Sequence, residues 1–309
     1  MIFFDRLLMK KCLKKIFECP IKSTTCIFFI LLIVIVGISL GWNHLNKLIF
    51  PNTVIGLYDK DMWKDLLISL HGSLLDLSVV GILIFWLDSR RNKMSEIRKL
   101  EEEISDYATL DNPEINIKKQ GNIKRLHGLG IHSINVQNLT LNNLNIKNVT
   151  FKKSNIIDLK LKNGVLSDSK FFENEMRSSS FENSKLKAIV FNNCSMYKSI
   201  FIDAVCKGAI FEKTNLSEVN FERCDLQSAN FHESKIYNAN FTGANLRQCS
   251  FKKTEGINVS EIAKAKCVDY IHMSPELLKK LYMLRPDMKH QAKVLDGFRT
   301  EGIEPSDTH

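Results

Sequence analysis

From Leu126 to Phe251 every fifth residue is apolar, in one register and without insertion. The series opens Leu126, Ile131, Val136, Leu141, Ile146, Phe151, Ile156 and closes Ile236, Phe241, Leu246, Phe251. A spacing of five fits neither the roughly 3.6 residues of a helical turn nor the two-residue alternation of a flat strand. A chain that returns to the same environment at a fixed short interval is a repeat architecture, and this stretch must be read as one.

Two positions before each apolar centre lies a second pattern. In the later half these residues are mostly small, as at Ser179, Ser184, Cys194, Ser199, Ala204, Ala209, Thr214, Cys224, Ala229, Ser234, Ala239, Ala244 and Cys249, with Ile189 and Val219 as exceptions. Asn or Asp often stands between the two, as in Ala229-Asn230-Phe231 and Ala239-Asn240-Phe241. Here residues 126–251 resemble the pentapeptide-repeat family, whose unit is close to A-[DN]-[LF]-x-x, and the segment 204–251 resembles it most closely. The resemblance implies a mainly β fold, a right-handed quadrilateral β-helix with four repeats to a coil of about twenty residues.

In such a tube the centre and the small residue before it point inward, and the other three positions face water. Phe171, Phe191, Phe211, Phe231 and Phe251 are then expected to stack in one column, and Phe181, Phe201, Phe221 and Phe241 in a second on the opposite wall. Each buried Phe contributes about 1.5–3 kcal/mol, and stability accumulates between neighbouring layers. Leu129, Ile134, Leu139, Leu144 and Val149 are bulky where the family prefers small residues, so the first coils are expected to be wider or distorted.

The chain before residue 90 is different. No Lys, Arg, Asp or Glu occurs from Ser23 to Asn46, and Leu66–Leu87 contains only Asp76 and His71 as titratable groups. A membrane-crossing helix needs about 20 apolar residues, so a two-helix transmembrane hairpin is expected, with spans 26–46 and 66–87 and a short external loop at 47–65. Six Lys or Arg precede the first span, Arg90, Arg91 and Lys93 follow the second, and the loop 43–65 balances three Lys against three Asp. The positive-inside rule then puts both termini in the cytoplasm of a bacterial cell, with the chain multi-pass in the inner membrane. Trp42, Trp63 and Trp86 fall at the span ends, where interfacial anchors belong. Residues 1–25 read as a basic amphipathic segment for an anionic membrane face, or as a basic flank that only sets topology.

Inside the spans, Gly37 and Gly41 form a small-xxx-small pair, and Ser69, Gly72, Ser73 and Asp76 share one helical face. Helix packing, within the hairpin or in a homo-oligomer, is the expected role; a proton or ion path at Asp76 is the competing one. Residues 88–125 read as a charged helical linker, with Ile97, Leu100, Ile104 and Tyr107 on one side, then a break at Asn112-Pro113 and a short N-terminal capping helix. The repeats are assigned to 126–255. Residues 256–309 read as a cap of two short helices, the second starting at Ser274 and Pro275, followed by a tail.

No phosphate loop, nucleophile elbow or His/Cys metal spacing occurs. No catalytic, cofactor-binding or metal-binding residue is assigned, and no cofactor is expected. Cys194, Cys224 and Cys249 hold small inward slots and Cys206 a centre, which are packing roles in a reducing compartment. The family's best-known activity, DNA mimicry by an acidic solenoid, fits poorly: residues 121–255 carry 19 basic against 12 acidic side chains. Nucleic-acid binding is disfavoured because bases and acids interleave without stacking aromatics. The expected function is a membrane-anchored, non-enzymatic scaffold whose partners are the bilayer and a cytoplasmic protein. The alternative is a stress or phage-defence effector whose hairpin oligomerises and perturbs the bilayer.

Overall fold

The computed structural model describes residues 20–42, 44 and 60–289. Expectations for the basic segment before residue 20, for most of the 47–65 loop and for the tail after 289 lie outside the described residues. The chain forms two compact units, dividing between Ser95 and Glu96.

The first unit is helical. Helix α1 spans Pro20–Leu40, and helix α2 runs without interruption over Lys60–Asp106, into the second unit. Their apolar side chains face outward, Ile33 at 68% and Leu77 at 70% exposure. Among the described residues one helix, over Lys64–Asp106, is long and apolar enough to cross a membrane; the apolar part of α1, Phe28–Leu40, is shorter. Of the expected two-span hairpin, one candidate span stands among the described residues. The expected first span, 26–46, ends among residues outside those described, at 43, 45 and 46.

The second unit is a β-solenoid closed by helices. Helix α3, Pro113–Gly128, precedes the coils, with Asn112 accepting from the Glu114 N–H and Pro113 opening the helix. Leu126, counted from spacing as the first repeat centre, belongs to this helix and is fully buried. The coils therefore begin after it.

Seven three-residue strands follow: β1 (Asn145–Lys147), β2 (Thr150–Lys152), β3 (Val165–Ser167), β4 (Lys170–Phe172), β5 (Lys185–Lys187), β6 (Val190–Asn192) and β7 (Ile210–Glu212). They make two parallel sheets, β1-β3-β5 and β2-β4-β6-β7, each pairing residues twenty apart, as Phe151 with Phe171 and Phe171 with Phe191. Single parallel bridges continue both walls and build the other two, one ladder running Asn135, Asn155, Glu175, Ser195, Asn215, Lys235, Glu255. The coil period is the one expected.

Backbone bonds run to both neighbouring coils. The Phe211 N–H donates up to the Asn230 carbonyl (2.7 Å), and the Asn230 N–H donates back to the Ala209 carbonyl (2.9 Å). At the closed corners the centre carbonyl accepts from the N–H three residues on, as Phe201 from Ala204 (3.1 Å). A turn with a left-handed third position favours glycine there. This chain instead puts Lys213 (φ 54), Glu218 (φ 56) and Arg223 (φ 54) at that position, with glycine only at Gly208 and Gly243 among the repeats.

A turn bond closes some corners and not others, and size in the inward slot does not decide which, since the corner at Val219 closes at 3.2 Å. No turn bond closes the corners before Val149, Ser169 or Ile189 among the described residues, whereas the corner at Cys206–Ala209 closes at 3.1 Å. The strands flank those open corners.

The five-residue register slips at Gly256, but the solenoid continues. A short helix α4 (Val259–Ile262) is inserted, after which Cys267 bridges Asn245 and His272 bridges Ser250. Gly256 (φ +76) makes that exit possible: a Cβ there would lie 2.7 Å from the Tyr237 ring. Helix α5, Pro275–Leu284, then follows, burying Leu278 and Leu281.

Candidate interaction surface

The interior is filled by packing. The Phe column begins one layer earlier than expected, at Phe151, and neighbouring rings stack at 5.2 Å (Phe151–Phe171), 5.0 Å (Phe171–Phe191) and 4.9 Å (Phe231–Phe251). The second column stacks likewise, Phe181 on Phe201 at 4.9 Å and Phe221 on Phe241 at 5.4 Å. The columns meet edge to face across the tube, as Phe201 against Phe211 at 5.8 Å and 89°. Offset stacks and T-shaped contacts are the favoured geometries of aromatic pairs.

The inward slot does more than fit in size. Asn174 Nδ2 donates to the Phe151 carbonyl (3.1 Å), Thr214 Oγ1 to Phe191 (3.2 Å), Ser199 Oγ to Met176 (3.1 Å) and Thr254 Oγ1 to Phe231 (2.7 Å), with Ser184 bonded likewise to Leu161. Each side chain reaches the carbonyl of a centre 23 residues earlier, adding a bond between successive coils inside the tube. Cys194 and Cys249 place Sγ on the Phe171 and Leu226 carbonyls. Burial raises both thiols, Cys194 to about 11, so neither is a nucleophile. The Asn before a centre braces the corner that follows, since Asn220 and Asn240 each accept from the N–H two residues on, at 3.0 Å.

At the start of the solenoid, Lys119 of α3 is fully buried and donates to the carbonyls of Leu110 (2.8 Å), Ala108 (3.3 Å) and Thr140. Burial pushes its pKa down to about 8, with the Asp111 charge opposing. Asp111 is itself held low by hydrogen bonds from Asn142 and Asn116. His127 sits edge-on to Phe151 at 5.4 Å and 5.0 Å from His132. Neither cluster shows in the five-residue pattern, because α3 precedes it. A Lys amid polar neighbours carries no sequence mark of burial. A small cavity of about 110 Å³, lined by Glu101, Ile104, Ile134, Asn135 and Val136, is far below the size of a metabolite pocket.

The outer walls carry vertical ion pairs between residues twenty apart: Lys162–Glu182 at 2.9 Å, Lys198–Glu218 at 3.5 Å, Lys235–Glu255 at 3.5 Å, and Arg223 held to Asp203 through two bonds of 2.7 and 2.8 Å. Hydrogen bonds from Arg223 hold Asp203 below the usual carboxylate range. The residues expected to pack helix against helix are spread along α1 and α2. Ser69, Gly72, Ser73 and Asp76 are all exposed, and Ser73 Oγ donates to the Ser69 carbonyl at 3.0 Å. A Cβ added at Gly37 or Gly72 would meet nothing within 4 Å. Gly41 and Trp42 are half-exposed, Trp86 is exposed with Arg90 over its ring at 5.4 Å, and the Trp63 side chain lies outside those described. No group of three metal-ligating side chains occurs among the described residues.

Residues 214–252 match the model of the family described as Pentapeptide repeats, in eight copies. No curated protein matches the chain. Similar solved structures include HetL, a pentapeptide repeat protein involved in heterocyst differentiation regulation from the cyanobacterium Nostoc sp. strain PCC 7120. It is 14% identical over 43% of this chain and 70% of that one, with a TM-score of 0.26. Another is QnrB1, a plasmid-mediated fluoroquinolone resistance protein, 7% identical over 47% of this chain and 98% of that one, with a TM-score of 0.27. A third is Rfr23 from the cyanobacterium Cyanothece 51142, 20% identical over 47% and 96%, with a TM-score of 0.22. At TM-scores this low, these likenesses carry no functional argument.

Proposed function

We propose that this chain, a pentapeptide-repeat protein, is a non-enzymatic interaction module held at the cytoplasmic face of a bacterial inner membrane. On this reading its solenoid presents flat walls to a protein partner or to the bilayer. The observation that carries it is the nature of α2. Its first part is apolar and exposed, as at Leu77 and Ile82, and its last part supplies Ile97, Leu100 and Ile104 to the core cluster of the second unit. An exposed apolar helix of that length is stable in a bilayer and costly in water. The second span, 26–46, and the cytoplasmic placement of both termini belong to the same proposal, through the distribution of Lys and Arg around the two helices.

Photo-crosslinking from outward positions such as Tyr197 and Tyr237, in intact membranes, tests the module reading. A discrete protein or lipid adduct at some wall positions and none at others is expected. Uniform absence of adducts on every wall would overturn it.

A second reading, a membrane effector that oligomerises through its helices, is favoured by the open seam at Ser69, Gly72, Ser73 and Asp76. A carboxylate at that depth is costly without a partner. If Asp76→Asn keeps the chain in the membrane but abolishes growth arrest on overexpression, the effector reading replaces the first. If overexpression of both forms is harmless, the module reading stands.

A further inference from the structure

The basic side chains of the early coils are divided unequally between the walls. On the two walls built from single bridges, every charge from 155 to 183 is paired: Lys160 with Asp158 at 3.3 Å, Lys162 with Glu182 at 2.9 Å, Arg177 with Glu175 at 3.5 Å. The two walls carrying β1 to β6 hold Lys147, Lys152, Lys170, Lys185 and Lys187, all exposed and none in an ion pair. The outward residues from 145 to 152, 165 to 172 and 185 to 190 contribute one acid, Asp168, at the corner between those walls. Half-exposed Val165, Phe172 and Val190 stand among the lysines. Parallel pairing at twenty-residue intervals fixes this arrangement, since it stacks Lys185 above Val165 and Asn145, and Lys187 above Ser167 and Lys147.

We propose that this lysine-bearing edge of the solenoid docks on an anionic lipid surface. The inference deepens the interaction-module reading and rests on it. Charge decides the class of partner: five cations held by a rigid sheet and left without counter-ions are matched by a surface of negative headgroups. Residue type decides between lipid and nucleic acid. All five are Lys, a compact point charge suited to a diffuse negative surface, whereas planar Arg forks dominate phosphate and base recognition. The only aromatic residue on these outward positions is Phe172, which offers no succession of stacking platforms for bases. The apolar helix α2 would keep such a surface at high effective concentration.

The test uses the full chain reconstituted in phosphatidylcholine vesicles, with or without roughly a third phosphatidylglycerol, and follows the acetylation rate of each lysine by mass spectrometry. Each lysine near an anionic leaflet gains about fivefold in partition. Acetylation of Lys147, Lys152, Lys170, Lys185 and Lys187 is therefore expected to slow about fivefold or more in the anionic vesicles. It should recover at roughly 0.5 M salt, where screening is short-ranged. Lys160 and Lys162, on the paired walls, should not change. In the triple variant Lys147→Glu/Lys170→Glu/Lys187→Glu, Lys152 and Lys185 should lose their protection while the circular dichroism of the solenoid is kept. Equal rates in both vesicles would overturn the proposal. So would protection that appears only when RNA is added to neutral vesicles, which would assign the edge to nucleic acid. Flotation separates this from the anchoring reading: a chain that fails to float with neutral vesicles contradicts the anchor alone. The labelling comparison can then be made with vesicles added to the detergent-free chain.

Discussion

Phe211 and Phe231, twenty residues apart in sequence, lie ring over ring with centroids 5.2 Å apart and planes 9° from parallel. Phe221, ten residues from each, meets both edge to face, at 5.7 Å and 5.9 Å. The interior is thus two aromatic stacks interlocked at right angles, and each ring is held by partners from several layers.

Truncating a ring in the middle of that lattice should therefore destabilise strongly. Phe221→Ala is expected to lower the stability of the solenoid by about 3–5 kcal/mol, read from urea unfolding followed by circular dichroism. Phe151→Ala, at the end of its column, should cost less, because no Phe ring lies in the layer before it.

Asn174 tests the polar side of the same interior. It is buried, accepts from the Ser154 N–H at 2.7 Å and donates to the Phe151 carbonyl at 3.1 Å. Asn174→Leu leaves the buried Ser154 N–H unpaired and removes a second bond from the Phe151 carbonyl, with an expected loss of about 1–3 kcal/mol. Asn174→Thr should recover part of it, since Thr214 makes the equivalent carbonyl bond further along the same column, at 3.2 Å.

Ala188 sits at φ 49 with its side chain exposed. A left-handed alanine costs about 1 kcal/mol that glycine does not incur. Ala188→Gly is expected to leave stability unchanged or raise it by about 0.5–1 kcal/mol, visible as a higher urea midpoint. The same change at Ala229, an inward slot, should destabilise.

Lys119 makes the fold sensitive to alkaline pH. Its pKa falls from 10.5 to about 8 on burial. Between those values the folded chain has lost the proton and the unfolded chain keeps it, so the unfolded state binds more protons and stability rises with pH. The gain from this site alone is on the order of 3 kcal/mol from pH 7.5 to 10.5. In Lys119→Met the gain should vanish, so wild type gains on the variant as pH is raised. A difference between the two that stays constant with pH would place the ammonium in a less costly environment than three buried carbonyls provide.

Much of this was legible from spacing alone. The five-residue count, four to a coil, placed Phe181, Phe201, Phe221 and Phe241 twenty apart and so fixed which rings stack. The left-handed corners were hidden because Lys213, Glu218 and Arg223 stand where glycine would have announced them. Their strain is offset by N–H bonds to the next coil, such as Arg223 to Thr242 at 2.9 Å. The coil after Gly256 was hidden for another reason: the inserted helix at Val259–Ile262 breaks the five-residue count while the bridge from Asn245 to Cys267 preserves the wall. The lysine edge needed the structure, since residues such as Lys147, Lys170 and Lys187 become neighbours only when the coil period is applied.

The proposed function requires the second helix to hold the solenoid to a bilayer. Expressed in bacteria and fractionated, the full chain should remain with the membrane pellet after an alkaline carbonate wash and be released only by detergent. Recovery of the folded chain in the soluble fraction would contradict it.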